Sequence, residues 1–203
     1  MLGRNTLQFS SIVEICAPHR HLPVGFGPYH TMFIGEPIVC PGCVNPNQFA
    51  TTKECKKILH NAKKEWKRSN ASRHLRRSLA AANLPRNITK IVGFGLGTLE
   101  RSGELRNAGQ HILLLSIKDF LDTNRPDSAP VKCYAQDPAY TNGDTGALLN
   151  REVEVVPRNG GLFQVDKNTV VVSGSPQAYP IEDLVADRCR PAVFITCPPD
   201  SDM

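Results

Sequence analysis

Residues 90–98 of the chain read Lys90-Ile91-Val92-Gly93-Phe94-Gly95-Leu96-Gly97-Thr98, an apolar run that ends in three glycines spaced two apart. The apolar part is typical of a buried strand, and the glycines let the backbone turn sharply where that strand ends. A helical pattern follows downstream. A strand, a glycine-rich turn and a helix in this order predict the first unit of a Rossmann-type sheet.

Strand and helix patterns alternate through the chain after Pro85. Short runs rich in Val, Ile and aromatic residues predict five strands, at 90–94, 131–136, 152–156, 169–173 and 192–197. Helical patterns lie between them, at 109–122, 144–150 and 181–188. Continuous apolar runs are typical of strands that are covered on both faces. Residues 85–203 are therefore predicted to form an α/β, Rossmann-like domain with a mostly parallel sheet flanked by helices.

Two regions precede this domain. Residues 1–50 are rich in Pro and Gly and keep no persistent period, which predicts an irregular, partly disordered arm. Residues 51–84 are predicted to form a helical lead-in, because no Pro or Gly occurs from Thr52 to Ala82 and apolar residues recur on one helical face. The segment Ser69–Ser72 is expected to separate two helices and to cap the second.

The helical lead-in is strongly basic. Residues 53–77 hold ten Lys or Arg against Glu54 and Glu65, a net charge of +8 in a chain whose total is +5. Such a cluster is able to neutralise phosphates. Because interleaved aromatic residues and a known binding motif are missing, a solvated helix face or a surface for an acidic partner is favoured, and nucleic acid is disfavoured as a partner.

The composition is that of a globular chain without membrane spans. Of 203 residues, 40% are hydrophobic and 21% charged, and no apolar run approaches the ~18 residues that a membrane helix needs. The first residues show no sustained apolar stretch, so we expect no export signal and no membrane attachment. A reducing cytoplasmic or nuclear location follows, with free thiols at Cys133, Cys189 and Cys197.

One pair of cysteines has a spacing that occurs in metal sites. Cys40 and Cys43 have the two-residue spacing of a zinc knuckle. The remaining ligands would have to come from Cys16, His19, His21 and Cys55. Since the chain has no second pair with such spacing, unligated thiols are the preferred interpretation and no metal site is predicted.

A candidate ligand site is predicted at the carboxyl edge of the sheet, from Gly93, Gly95, Gly97, His111, Asp137 and Ser173. The glycines would let a ligand approach the backbone closely. Their spacing brings the third glycine one residue early for the dinucleotide pattern, and is closer to the loop of nucleoside-binding methyltransferases. A turn that serves packing alone remains the alternative.

The three side chains have competing interpretations. Asp137 follows the second strand of the sheet, where a Rossmann acid binds ribose hydroxyls, but it comes 40 positions after Gly97 and Asp137-Pro138 is also ordinary turn chemistry. His111, at the start of the first sheet helix, would carry a proton or donate a hydrogen bond, or be a structural histidine. Ser173 would offer a hydroxyl, or belong to a turn that caps the next helix.

Five segments of the chain resemble the SRR-like domain family, named from the plant "sensitivity to red light reduced" protein. They are KIVGFGLGTLE at 90–100, Gln110-His111, YAQDPAYT at 134–141, GGLFQVDKNTVVVSGSP at 160–176 and RPAVFITCP at 190–198. The resemblance covers about residues 88–197. Trp66 to Leu79 also resembles the helical lead-in of fungal members, which predicts a fungal protein.

The resemblance implies a regulatory or interaction protein with a Rossmann-like domain. Plant members are tied to phytochrome signalling and the circadian clock, and animal members to haem biosynthesis and clock-gene expression. No settled reaction comes with the family. Its matching positions are Gly93, Gly95, Gly97, Gln110, His111, Asp137, Pro138 and Ser173–Pro176.

The sequence thus predicts a non-enzymatic regulatory protein with protein partners. The alternative is an enzyme that binds a nucleoside-type small molecule, such as S-adenosylmethionine in a methyltransferase, over residues 93–97. Whether the chain is an enzyme, and which cofactor it would hold, stays open. Hydrolase and kinase chemistry are disfavoured, because no nucleophile elbow, phosphate-binding loop, HExxH or kinase signature occurs in the sequence.

Overall fold

The computed structural model describes residues 14–16, 50–99, 104–157, 159–174 and 181–196. Its strands are β1 Glu14–Cys16, β2 Lys90–Phe94, β3 Lys132–Gln136, β4 Val153–Val155, β5 Thr169–Ser173 and β6 Val193–Thr196. Its helices are α1 Thr52–Arg68, α2 Asn70–Ala81, α3 Glu104–Thr123, α4 Asn142–Leu149, α5 Gly160–Gln164 and α6 Ile181–Arg188.

The strands form one sheet in the order β1-β6-β5-β2-β3-β4. Strands β2 to β6 run parallel, and β1 pairs with β6 in the antiparallel direction. Renumbered along the chain, the parallel strands follow the order 3-2-1-4-5 of a Rossmann fold. The predicted α/β class is therefore confirmed. Because the chain returns to the other side of β2 when it reaches β5, the topological switch point lies between the carboxyl ends of these two strands.

Both faces of the sheet are covered. Successive strand residues point to opposite faces, so Ile91 packs with the helices of one face while Val92 and Phe94 pack with those of the other. Helices α1 to α4 bury their apolar residues on the first face. Helices α5 and α6 cover the second face, α5 through Leu162 and α6 through Ile181 and Val185. Full coverage explains the continuous apolar runs in β2 and β5.

Helix α1 is packed into the domain. Thr51 caps its N-terminus in a reciprocal capping box with Glu54, and the buried row lies at helical spacing: Cys55, Leu59, Ala62 and Trp66. Ser69 ends α1 and accepts a hydrogen bond from the Ser72 amide, which confirms the predicted break and cap. The N-terminal end of α1 lies against α4, where a Cβ on Gly143 would come within 2.1 Å of the Ala50 carbonyl oxygen.

Several element bounds differ from the predicted ones. Strands β2 and β5 have the predicted bounds, whereas α3 begins at Glu104 instead of Gly109. Gly109, the predicted helix start, lies buried inside α3, because tertiary packing offsets the propensity cost of a helical glycine. The short helix α5 was not predicted.

The N-terminal arm is described only in part. Strand β1 and Ala50 belong to the segment predicted as an irregular arm, and the other residues of 1–49 lie outside the described ranges. Cys40 and Cys43, the pair with zinc-knuckle spacing, are among the residues outside the described ranges. The division into arm, lead-in and domain stays a prediction.

Gly143→Ala is expected to lower the free energy of unfolding by about 1–3 kcal/mol, because the added methyl group would overlap the Ala50 carbonyl and force backbone to shift. Urea unfolding followed by circular dichroism measures the loss. Thr145→Ala, an exposed change on the same helix, is the control and should shift stability by less than about 0.5 kcal/mol. Equal stability of the two variants would contradict the close contact of α4 with α1.

Candidate functional site at the carboxyl edge of the sheet

The glycine segment after β2 forms a turn that is tied to β3. Gly95 and Gly97 have φ values of 63° and 75°, in the left-handed region that favours glycine. The Gly97 amide donates a hydrogen bond to Oδ2 of Asp137 at 2.6 Å. Gly97 and Asp137 are 40 positions apart in the sequence, but the fold places them side by side.

The glycines also meet packing demands. A Cβ on Gly93 would lie 2.8 Å from Leu96, and one on Gly97 would lie 2.5 Å from the side chain of Asn107. Asn107 itself donates to the Thr98 carbonyl oxygen at 2.8 Å, so it fills the inside of the turn. Gly93 and Gly97 thus have a structural reason to lack a side chain.

Asp137 uses both carboxylate oxygens to hold backbone. Oδ2 accepts the Gly97 amide, and Oδ1 accepts the Ala139 amide at 2.8 Å. The second contact is the Asx-type turn expected for Asp137-Pro138. The side chain is half-buried, and each carboxylate oxygen has a further lone pair for a ligand hydroxyl. Its first task is nevertheless to join the turn after β2 to the end of β3.

His111 is buried and hydrogen-bonded on both ring nitrogens. It lies inside α3 rather than at the helix start that the sequence predicted, since α3 begins at Glu104. Nδ1 lies 2.7 Å from the Asn107 carbonyl oxygen, and Nε2 lies 2.9 Å from the Tyr140 hydroxyl. A carbonyl only accepts, so the proton is assigned to Nδ1, and Nε2 accepts the Tyr140 proton.

Burial determines the protonation states of His111 and Tyr140. It lowers the pKa of His111, against the opposing effects of the Asn107 carbonyl, Asp144 and Asp137. Burial also raises the pKa of Tyr140 well above its usual range, with Asp137 and Asp144 adding to the rise. At neutral pH the pair is therefore a neutral imidazole and a neutral phenol. His111 thus lies in an enclosed pair with Tyr140, and its role as a proton carrier or hydrogen-bond donor stays a prediction.

Asp144 is the polar centre of this edge, and the sequence analysis did not single it out. Its side chain is fully buried, and its Oδ1 accepts the Leu99 amide at 2.8 Å and lies 3.9 Å from the Cys55 thiol. Oδ2 accepts the Thr98 hydroxyl and both the amide and hydroxyl of Thr141, each at 2.8 Å. One carboxylate thus joins the turn after β2, the start of α4 and helix α1.

A sequence signal for Asp144 does exist. Thr141 and Asp144 form the capping box of α4, and the spacing of Ser or Thr and an acid three residues later marks such a box. The spacing predicts a helix start. It does not predict that the same acid holds a distant loop, because that depends on where β2 lies relative to α4.

Ser173 lies on the second face of the sheet, away from the His111 cluster. It pairs in register with Phe94, which pairs with Gln136, so Ser173 and Gln136 lie two strand spacings apart, about 10 Å. Ser173 is 2% exposed, and no group of the described residues hydrogen-bonds its hydroxyl. A buried hydroxyl without a partner is costly.

Two glutamines connect the strand ends to the neighbouring helices. Gln110 on α3 donates to the Gly174 carbonyl oxygen at 2.6 Å, across the switch point. Gln136 accepts the Gly161 amide of α5 at 2.9 Å. The predicted site residues are thus split: Gly97, His111 and Asp137 belong to the first-face network, Gly95 lies at the end of β2, and Ser173 lies beyond it. As ligand contacts, all of them stay predictions.

Family comparison agrees with this architecture. The model of the family described as "SRR1 domain" matches residues 53–196. The chain belongs to the SRR1 domain family. The match begins in α1 and ends in β6, so it includes the helical lead-in except for its first two residues. No curated protein and no solved structure matches the chain. The fungal origin stays a prediction.

The described residues offer no metal cluster. Among them, no three His, Cys, Asp or Glu side chains are grouped to hold an ion. Cys133 is a free thiol, as predicted, and Cys197 lies outside the described residues. Burial raises the pKa of Cys133 to about 12, which keeps it protonated and unreactive. None of the described helices combines the length and hydrophobicity that crossing a membrane requires.

Asp144→Asn is expected to lower the free energy of unfolding by about 2–4 kcal/mol. Both carboxylate oxygens of Asp144 accept hydrogen bonds, and the amide nitrogen that replaces one of them cannot accept any. The urea midpoint at unchanged slope reports the loss. Glu54→Gln makes the same chemical change in the exposed capping box of α1, and should cost less than about 1 kcal/mol. A cost for Asp144→Asn no larger than this control would contradict the role of Asp144.

The wild-type chain is expected to lose stability as the pH falls below the unfolded pKa of His111. Unfolded histidine binds a proton near pH 6.5, whereas the lowered pKa of folded His111 resists it, so the unfolded state gains protons first. The loss reaches at most about 1.4 kcal/mol by about pH 5.5. Urea midpoints across this range measure it. His111→Gln should remove that part of the pH slope, and an unchanged slope would show that His111 does not carry it.

Proposed function

We propose that this chain is a non-enzymatic regulatory protein of the SRR1 domain family that acts through protein partners. One observation carries the proposal. The titratable side chains at the first-face carboxyl edge hold one another and the loop backbone: His111 bonds Tyr140, and Asp144 bonds the turn after β2. These groups build the edge and are closed off from solvent, which does not suit a general acid or base that must reach a substrate.

The setting of this regulation follows from the family resemblance alone. We propose circadian or light signalling, or the regulation of haem biosynthesis, in the cytoplasm or the nucleus. A fold does not decide a function, so these assignments depend on the family and not on the Rossmann-like architecture.

A second candidate is a binding site for a nucleoside-type cofactor, as in an S-adenosylmethionine-dependent methyltransferase. The buried Ser173 hydroxyl without a described partner favours it. Gly95 lies at the switch point between Ser173 and Asp137, and its lack of a side chain leaves the backbone open to close approach. A ligand over Gly95 would supply the hydrogen bond that Ser173 lacks, while Asp137 keeps lone pairs for ribose hydroxyls.

A thermal-shift screen separates the two functions. The regulatory proposal predicts that about 1 mM S-adenosylmethionine, NAD(P) or adenine nucleotides leave the melting temperature unchanged, because no site gains binding energy. Ligand at about 100 times its Kd would instead stabilise the fold by about 2.7 kcal/mol, a rise of several degrees. Such a rise would overturn the non-enzymatic proposal in favour of the second candidate.

Ser173→Ala is the matched variant for any ligand that raises the melting temperature. It removes only a hydroxyl for which the described residues provide no partner, so the unliganded protein should be as stable as wild type or slightly more stable. A shift that disappears in this variant assigns the ligand to the switch point. Asp137 is the poorer choice, since its loss would also release the Gly97 turn.

A further inference from the structure

One side of α1 carries all seven Lys and Arg residues of that helix, together with His60. A helix turns ~100° per residue, so eight residues fall within one continuous arc of about 140°: Lys53, Lys56, Lys57, His60, Lys63, Lys64, Lys67 and Arg68. Every position in this arc is Lys, Arg or His. Glu54 and Glu65 fall outside it. We call these eight residues the basic face.

The residues of the basic face are accessible to solvent. Lys63 is half-buried and lies 3.5 Å from Asp119 of α3. The other seven residues are exposed, and none of them forms an ion pair with a residue that the structure describes. Beyond Ser69, α2 adds the exposed Arg73, Arg76 and Arg77.

The rest of α1 holds this row of charges in place. Its buried row packs against α3 and α4, and its N-terminus is capped. At 1.5 Å per residue, its 17 residues extend for about 25 Å. The cations therefore stand on a fixed rod, so only their side chains need to be ordered when a ligand binds.

The composition of the basic face favours one kind of occupant. Protein interfaces bury aromatic and apolar anchors and are depleted in lysine, but the basic face contains no apolar residue. An amphipathic helix binds a bilayer through its apolar face, and here that face is buried in the domain. Binding to a phosphodiester backbone requires only closely spaced cations.

We propose that the basic face binds the phosphodiester backbone of a nucleic acid without reading the base sequence. The sequence disfavours nucleic acid because interleaved aromatic residues and a known binding motif are missing. The structure adds that seven of the eight residues on this side of α1 are exposed and that the opposite side of α1 is packed into the domain. Duplex DNA and single-stranded RNA present the same phosphodiester chemistry, so the experiment uses both.

The test is fluorescence anisotropy of the full chain with a labelled duplex DNA and a labelled single-stranded RNA, each in two unrelated sequences. We expect binding at about 50 mM salt, equal for the two sequences, with log K falling against log salt at a slope of about −4 for four to five duplex contacts. A shallower slope per contact on RNA is expected from its lower charge density. Whichever of duplex DNA and single-stranded RNA binds more tightly is the nucleic acid that the basic face prefers.

Lys57→Gln, Lys64→Gln and Lys67→Gln together should weaken duplex binding at least about tenfold and bring the slope toward about −1. The control is Arg86→Gln, Lys132→Gln and Lys167→Gln, which removes the same charge from exposed residues elsewhere. This control should change affinity far less. Replacing the same three lysines of α1 with arginine should retain binding.

Three results would overturn the proposal. Absence of binding at about 50 mM salt excludes a phosphate-driven contact. Equal losses in the two triple variants would assign binding to net charge rather than to the basic face. Tighter binding of poly-glutamate than of a duplex of equal charge would identify an acidic protein as the partner instead.

Discussion

The carboxyl edge of this domain depends on one buried carboxylate. Asp144 accepts hydrogen bonds from Thr98 and Leu99 of the turn after β2 and from Thr141 at the start of α4, and it lies near the thiol of Cys55 on α1. A charge that is fully buried must be surrounded by donors, and here the donors come from three separate segments. Asp144 can therefore be satisfied only when strand, loop and helices are all in place.

The packing at this edge gives the glycine turn a structural role. The spacing of Gly93, Gly95 and Gly97 resembles a cofactor loop, yet two of these glycines are needed because Leu96 and Asn107 occupy the space beside them. Asp137 has the place of a ribose-binding acid and uses both oxygens for backbone amides. The edge has the parts of a Rossmann ligand site, but many of them are bonded to one another, and this supports the proposal of a regulatory role.

Regular elements were predictable from local sequence, whereas the site was not. The apolar runs of β2 and β5 and the break at Ser69 follow from residue pattern and capping chemistry, and all three were predicted correctly. The start of α3 was predicted wrongly because Gly109 is a poor helix former in isolation. The partners of His111 and Asp144 come from segments up to 89 positions away in the chain, so only the three-dimensional arrangement of the strands reveals them.

Hydrogen exchange of individual backbone amides tests the role of the two carboxylates most directly. Gly97 and Leu99 lie in a turn without regular secondary structure, yet their amides bond Asp137 and Asp144. The structure predicts that both amides exchange slowly, and that Leu99 is protected nearly as well as the strands of the sheet. Fast exchange at both amides, at the rate of an ordinary exposed loop, would contradict the claim that Asp137 and Asp144 hold this edge together.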